Sequence, residues 1–266
     1  MAHEQSLVFL VGIFLMMAYG MYKTFIRGEI PHVRKIAALD AIDEGIGRSI
    51  EMGKKLQFVI PNDLMGPMAS VTLISLTLMS YVARKAAKAG IPAVYTCATA
   101  PVLTVMQGML RDIYAEQGKL EDFNNPEKVK VRMLGEGYWR FGAGASTALA
   151  LAYPGLLQRE NVGTTIFAGE DGKNLLLYGE AGREADCFQI CLNPTSSKLS
   201  WAIATFDYVA MLSEVYTAGA WVTKRKEQLG SVIGTDIATW TMIVLVIVFT
   251  AVASILGRSL SGILVG

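Results

Sequence analysis

Two uncharged apolar runs stand near the ends of the chain, and between them apolar positions recur in short blocks punctuated by turn residues. From Ser6 to Tyr22 there is no charge, and Thr24, Phe25 and Ile26 continue the apolar surface past Lys23. Residues 6–26 therefore suffice to cross a hydrocarbon core of roughly 30 Å as a first transmembrane helix. A cleaved signal peptide would carry basic residues ahead of the run and a small-residue cleavage site behind it, and the sequence has neither pattern. Residues 237–257 predict a second transmembrane helix: they hold no charge, Met242 to Thr250 is almost wholly aliphatic, and Trp240 sits where an interfacial indole is favoured. A third uncharged stretch, Leu64 to Ala83, is also about long enough to span a bilayer. Its Pro67 and scattered Ser and Thr favour a buried helix instead.

The middle of the chain, residues 36–227, reads as one α/β domain. An apolar stripe at Leu39, Ile42, Ile46 and Ile50 opposes Asp40, Asp43, Glu44, Arg48 and Glu51, the pattern of an amphipathic helix. Leu56 to Ile60, stopped by Pro61-Asn62-Asp63, is a short buried strand, and the helix after it ends at Gly90. The cycle repeats with Pro92 to Cys97 as strand, Val102 to Gln117 as helix and Val129 to Leu134 as strand. Helices near Phe141 to Tyr153 and Lys173 to Gly179 then flank a strand at Thr164 to Ala168. Such alternation indicates a mainly parallel sheet covered by helices on both faces. Cys187 to Leu192 and Ser200 to Phe206 both look strand-like and lie close together, so an antiparallel C-terminal edge hairpin is expected, with a helix from Asp207 leading to the membrane.

Charge sets the orientation. Lys23, Arg27, Arg34 and Lys35 follow the first apolar run and Lys224, Arg225 and Lys226 precede the second, whereas Arg258 alone lies beyond it. The positive-inside rule then predicts a two-pass protein of the cell membrane with the central domain cytosolic and both termini outside. The first helix of the domain leaves the bilayer and the strand after it returns, which turns the carboxyl ends of the parallel strands toward the membrane.

Of the residues, 52% are hydrophobic, a composition suited to contact with lipid. The net charge of +1 provides no field to gather nucleic acid, and none is expected as a partner. Three cysteines, Cys97, Cys187 and Cys191, form no CxxC pair. The two histidines, His3 and His32, flank the first apolar run. No metal site, no cofactor and no Ser/His/Asp or Cys/His set is indicated, and the expectation leans away from enzymatic activity.

The stretch Lys35-Ile36-Ala37-Ala38-Leu39-Asp40-Ala41-Ile42-Asp43-Glu44, continuing through Gly47-Arg48 to Glu51-Met52-Gly53, resembles the opening of an uncharacterised family of prokaryotic membrane-anchored proteins. Asp207-Tyr208 with Glu214, Tyr216, Ala218 and Ala220, and Gly230-Ser231 with Gly234, Asp236 and Ile237, agree with it. Leu175 through Glu180 to Gln189-Ile190 matches more weakly. The resemblance implies an α/β domain with a membrane helix at each end. The family is a domain of unknown function, and no site residue carries over from it.

Candidate chemistry follows from position. Ligands of open α/β sheets bind beyond the carboxyl ends of parallel strands, which points to Asn62 and Asp63 after the first strand and Thr99 after the second, with Glu180 as a possible partner. A turn and helix cap would account equally for Asn62 and Asp63. Gly142, Gly144 and Ser146 in FGAGAST invite a phosphate-loop reading, but there is no GK[ST] ending, and close helix packing explains the small residues better. Asp207 is expected as the N-cap of the last helix of the domain, and Cys187, Gln189 and Cys191 as one buried strand face.

Two functions compete. Gly12 and Gly20 in the first apolar run and Ala253 and Gly257 in the second permit close helix packing. The leading expectation is thus a structural or interaction subunit of an oligomeric membrane assembly, a scaffold whose cytosolic domain makes subunit contacts. The alternative is a membrane-anchored domain that binds, or acts on, a nucleotide-like or lipid-derived small molecule near Asn62, Asp63, Thr99 and Glu180. A polar concave site would favour the second.

Overall fold

A computed structural model describes residues 11–12, 14–15, 18–19, 22, 36–65, 68–135, 145–211, 213–223 and 226–256. The chain divides into a compact unit, Arg34–Thr223, and a second unit made of the chain ends, Met1–Val33 with Lys224–Gly266. Most of the first predicted membrane helix, 6–26, lies outside the described residues.

The first unit opens with helix α1 (Ala37–Met52), whose Leu39, Ile42 and Ile46 are buried while the acidic face stays wet. It stops at Gly53, where the backbone turns left-handed. Strand β1 (Lys55–Ile60) follows, then α2 (Ala69–Ala89), β2 (Ala93–Cys97), α3 (Ala100–Glu116), the short α4 (Leu120–Asn124) and β3 (Val129–Met133). Next come α5 (Ala145–Glu160), β4 (Val162–Ala168), α6 (Leu175–Glu184), β5 (Phe188–Asn193), α7 (Leu199–Thr205), β6 (Tyr208–Met211) and α8 (Ser213–Thr223). The six strands form one sheet in the order β3-β2-β1-β4-β5-β6, and every neighbouring pair is parallel.

The chain builds outward from β1 to β3, then crosses back through α5 to the other side of β1 and builds outward again to β6. Reversing direction while keeping one crossover hand puts the two sets of helices on opposite faces. Alternate strand residues bear this out. Phe58, Ile166, Ile190 and Leu192 pack with α1, α2, α3 and α8 in one core, whereas Val59, Phe167 and Cys191 pack with α5, α6 and α7 in the other. Because both faces are covered, β1, β2, β4 and β5 read as nearly continuous apolar runs rather than alternating ones. Helix α2 contributes Leu76, Leu78, Met79 and Val82 to the first core, so the uncharged stretch Leu64 to Ala83 holds a buried helix of the domain.

The expected antiparallel hairpin is absent. Leu199–Thr205, which includes most of the strand expected at Ser200 to Phe206, is helix α7, and the true edge strand β6 starts after Asp207 and runs parallel to β5. Seven residues rich in Ala, Ile and Trp do not separate a period of 2 from one of 3.6, and burial of Ala202 and Thr205, three apart, decides for the helix. Counting α7 as part of the connection leaves the 14 residues 194–207 between β5 and β6, enough for a parallel crossover. Asp207 is accordingly not the cap of a following helix. Its carboxylate accepts the Gln189 N–H at 2.7 Å while its own N–H donates to the Gln189 carbonyl at 3.1 Å, which ties the start of β6 to β5.

At the other end of the sheet, Glu160, the last residue of α5, is buried and takes Lys55 at 2.9 Å, Lys130 at 2.7 Å and Arg132 at 3.6 Å. Burial by itself would push its carboxyl up. The hydrogen bonds and charges of Lys130 and Lys55 outweigh this and hold it below the ordinary carboxylate range. One carboxylate thereby anchors the crossover helix to β1 and β3, both on the side of the sheet laid down before the reversal.

In the second unit, α9 (Lys226–Leu256) contains a stretch, Gln228–Val248, with a mean hydropathy of 1.9, long and apolar enough to cross a membrane. Its Val244, Val246 and Ile247 are exposed. No other described helix meets that standard.

Candidate functional site

Where the chain reverses direction, the loops after β1 and β4 diverge to opposite faces and leave a crevice at the carboxyl ends of the strands. A cavity of about 510 Å³ occupies it. Its walls come from the ends of β1 and β2, the loop from β4 to α6, the first turn of α5 and the short helical turn Ser196–Lys198.

Asn62 ties the two central strand ends together. Its Nδ2 donates to the Glu170 carbonyl and its Oδ1 accepts the Glu170 N–H, both at 2.6 Å. This side chain mimics a backbone pair beyond the last residue of the β1–β4 ladder, so its polar atoms are largely committed to architecture. The close approach depends on Gly169, whose φ of +148° and missing Cβ let the backbone pass against Pro61 and Asn62. Asp63, one residue on, accepts the N–H groups of Leu64 at 2.6 Å and Met65 at 3.4 Å on Oδ1, and the Thr99 hydroxyl donates to the same oxygen at 3.2 Å. The turn role expected for Asp63 is present. The helix-cap role is not, because α2 begins only at Ala69.

The opposite wall is built around Asp171, which is 5% exposed. The Asn174 Nδ2 donates to both of its oxygens at 3.0 Å, and the Tyr178 hydroxyl shares its proton between Asp171 Oδ2 at 3.4 Å and the Ser146 carbonyl at 3.1 Å. No lysine or arginine pairs with it among the described residues. Burial pushes the Asp171 carboxyl up, and the hydrogen bonds from Asn174 and Tyr178 only partly offset this. Asn174 also reaches the Thr147 hydroxyl at 3.3 Å, so Asp171 is locked to the first turn of α5 as well as to α6. Lys173 and Lys198 complete the lining on the side of Gly172. Lys198 lays its stem beside Gly172, with its ammonium 4.2 Å from the centre of the Trp201 ring.

Of the four residues selected from the sequence, Asn62, Asp63 and Thr99 therefore line one cavity. Glu180 does not: it lies on the exposed side of α6, paired at 3.5 Å with Arg183. The residues that sequence reasoning passed over, Glu170, Asp171 and Lys173, were open to the rule that found Asn62. Gly169-Glu170-Asp171-Gly172 follows directly on a buried strand, the position where a doubly wound fold gathers polar groups. Ser146 lines the cavity too, whereas Gly142 and Gly144 of the same stretch lie outside the described residues.

The three cysteines offer no thiolate nucleophile. Burial pushes the thiols of Cys97 and Cys187 up to about 12 and about 11, and that of Cys191 higher, so all three stay protonated at neutral pH. Among the described residues, no group of His, Cys, Asp and Glu side chains is arranged to hold a metal ion.

Fold and cavity together define a doubly wound α/β domain with a polar crevice at its topological switch point. The profile of DUF6754, a domain of unknown function, matches residues 1–263, and the chain belongs to that family. No curated protein and no solved structure matches it.

Proposed function

We propose that this chain is a membrane-anchored binding protein whose α/β unit takes a small polar molecule in the crevice between the ends of β1 and β4. The observation that carries this reading is the cavity of about 510 Å³, within the size range of small-molecule sites, walled by polar side chains from five separate segments. Fold alone would not suffice, since the same topology serves many functions. Nor does the loop after β1, Pro61-Asn62-Asp63-Leu64, carry the glycine fingerprint of dinucleotide sites. The test is calorimetry on the full chain in mild detergent against a metabolite panel, repeated with Ser146→Trp, which fills the cavity from the first turn of α5. Binding in the micromolar range that the tryptophan abolishes is the expected result. A panel with no binder would sink the reading.

The anchoring half of the proposal rests on α9 and on the two apolar runs with their flanking basic residues, which favour two membrane passes and a cytosolic α/β unit. Protease added to inverted membrane vesicles should cleave that unit, and protease added to intact cells should spare it.

A second reading, the subunit of a larger assembly, is favoured by exposed apolar side chains on the three helices that cover one face: Leu151 on α5, Leu177 on α6 and Ile203 on α7. Its test is the native mass in detergent or lipid discs. A homo-oligomer that dissociates on Leu151→Glu with Ile203→Glu supports it, and a monomer overturns it.

A further inference from the structure

Resting on membrane anchoring by α9, we infer that the α/β unit docks on the bilayer through the face formed by α2 and α8, with the lipid headgroup zone as its partner. Chain connectivity narrows the choice of face. Helix α8 ends at Thr223, and only residues 224–227 separate it from the apolar stretch Gln228–Val248, a reach of at most about 18 Å however the link bends. Those residues are Lys224, Arg225, Lys226 and Glu227, and a basic run beside a membrane helix is drawn to anionic headgroups. The end of α8 is therefore tethered close to the lipid surface, and the side chains that α8 and its neighbour α2 expose decide whether they meet it.

Those side chains are apolar and aromatic. Because the strands are parallel, the segments that follow β1 and β6 both start from the carboxyl edge of the sheet. Met65 and Met68 precede α2, Leu73 lies in its second turn and Tyr216 near the start of α8, and all four are exposed, Met65 at 84% and Leu73 at 58%. The two helices pack together: a Cβ added to Gly219 would lie 3.1 Å from the Ile74 side chain, and Trp221 meets Tyr81 edge-on with ring centres 6.1 Å apart. Trp221 still stays exposed, just ahead of the basic run. Trp and Tyr favour the headgroup level, where the ring leaves water and the polar tip stays wet. On the opposite face of the unit, the exposed Leu151, Leu177 and Ile203 are aliphatic, and their helices lead into strands rather than toward an apolar stretch. The crevice lies at the same carboxyl edge and Met68 lines it, so docking by this face brings the site beside the headgroups.

The experiment attaches an environment-sensitive fluorophore to single introduced cysteines of the full chain, held in lipid discs of phosphatidylcholine and phosphatidylglycerol. Cys97, Cys187 and Cys191 are buried, so labelling at neutral pH goes to the introduced thiol. Leu73→Cys and Tyr216→Cys report on the α2–α8 face, and Glu121→Cys, at an exposed position of α4, is the control. The labels at 73 and 216 should shift their emission to the blue and lose about half of it to lipids brominated near the headgroup, while the label at 121 keeps the emission of a dye in water. Labels at 73 and 216 that behave like the one at 121 overturn the inference. So does a blue shift that brominated lipids leave unquenched, which would put another protein chain on this face. Anchoring is read separately, from whether the chain travels with the discs. A chain that does so with every label in water keeps the anchor and loses the docking, whereas a chain shed from the discs loses both.

Discussion

At Gly169 the backbone adopts a conformation that side-chain-bearing residues rarely take, and a Cβ there would run into Asn62 and Pro61, with Pro61 Cδ at 2.7 Å. The clip it permits, the pair of 2.6 Å hydrogen bonds between Asn62 and the Glu170 backbone, holds the two central strands in register beyond their ladder. Gly169→Ala should therefore lower stability by about 2 kcal/mol, from strain and from the displaced amide, read as a shifted midpoint in urea denaturation. Asp171 yields a prediction of opposite pH sense to most carboxylates. Its native value is raised above the ordinary 3.8, so its contribution to stability is present in full below 3.8 and is lost as pH rises through the native value. Asp171→Asn, which stays neutral, should gain on the parent chain as pH climbs through that window. Denaturation curves at several pH values check this, and a constant gap between the two proteins would contradict it. Asn62 was legible as a polar residue at a strand end, but its role as a clip was not, because its partner lies 108 residues away.

Among the elements, the crossover helix α5 determines where the crevice lies. It reverses the direction of strand addition, and its last residue, Glu160, is held by cations from β1 and β3. Glu160→Gln would leave those cations facing one another, and a loss of about 3 kcal/mol is expected for breaking so enclosed a pair. The pH dependence is again fixed in sign. Glu160 has its carboxyl held below the usual 4.5, so its contribution is present above 4.5 and fades as pH falls through the lower native value. The gap between parent and variant should narrow with acidification, as measured by thermal unfolding from pH 7 downward. Strand β6 and helix α7 mark where local pattern was ambiguous. The alternation in Ser200 to Phe206 suits either state, and the outcome turned on which side chains the α6–α7 layer could bury.

For the whole molecule, the prediction concerns the bilayer. Helix α9 exposes Val244, Val246 and Ile247 along a stretch that is only 11% buried, which water would not favour and lipid would. The full chain should stay in the membrane pellet through an alkaline carbonate wash, and recovery in the supernatant would count against anchoring. The family profile covers residues 1–263, so both the apolar ends and the α/β unit fall within the one family domain.

The sequence by itself determined the α/β class, five of the six strands, the amphipathic first helix and the apolar helix near the C-terminus. Each of these rests on a periodicity or a length that a local window contains. It also placed polar residues at the ends of the first two strands, because strand ends are marked by Pro, Asn, Asp and Thr. Tertiary structure alone decided the strand order, the parallel pairing of β6 and the meeting of Asp171 with the first turn of α5. These depend on which faces are buried against which partners, from 18 residues apart for Gln189 and Asp207 to 108 for Asn62 and Glu170, and no local pattern encodes that choice.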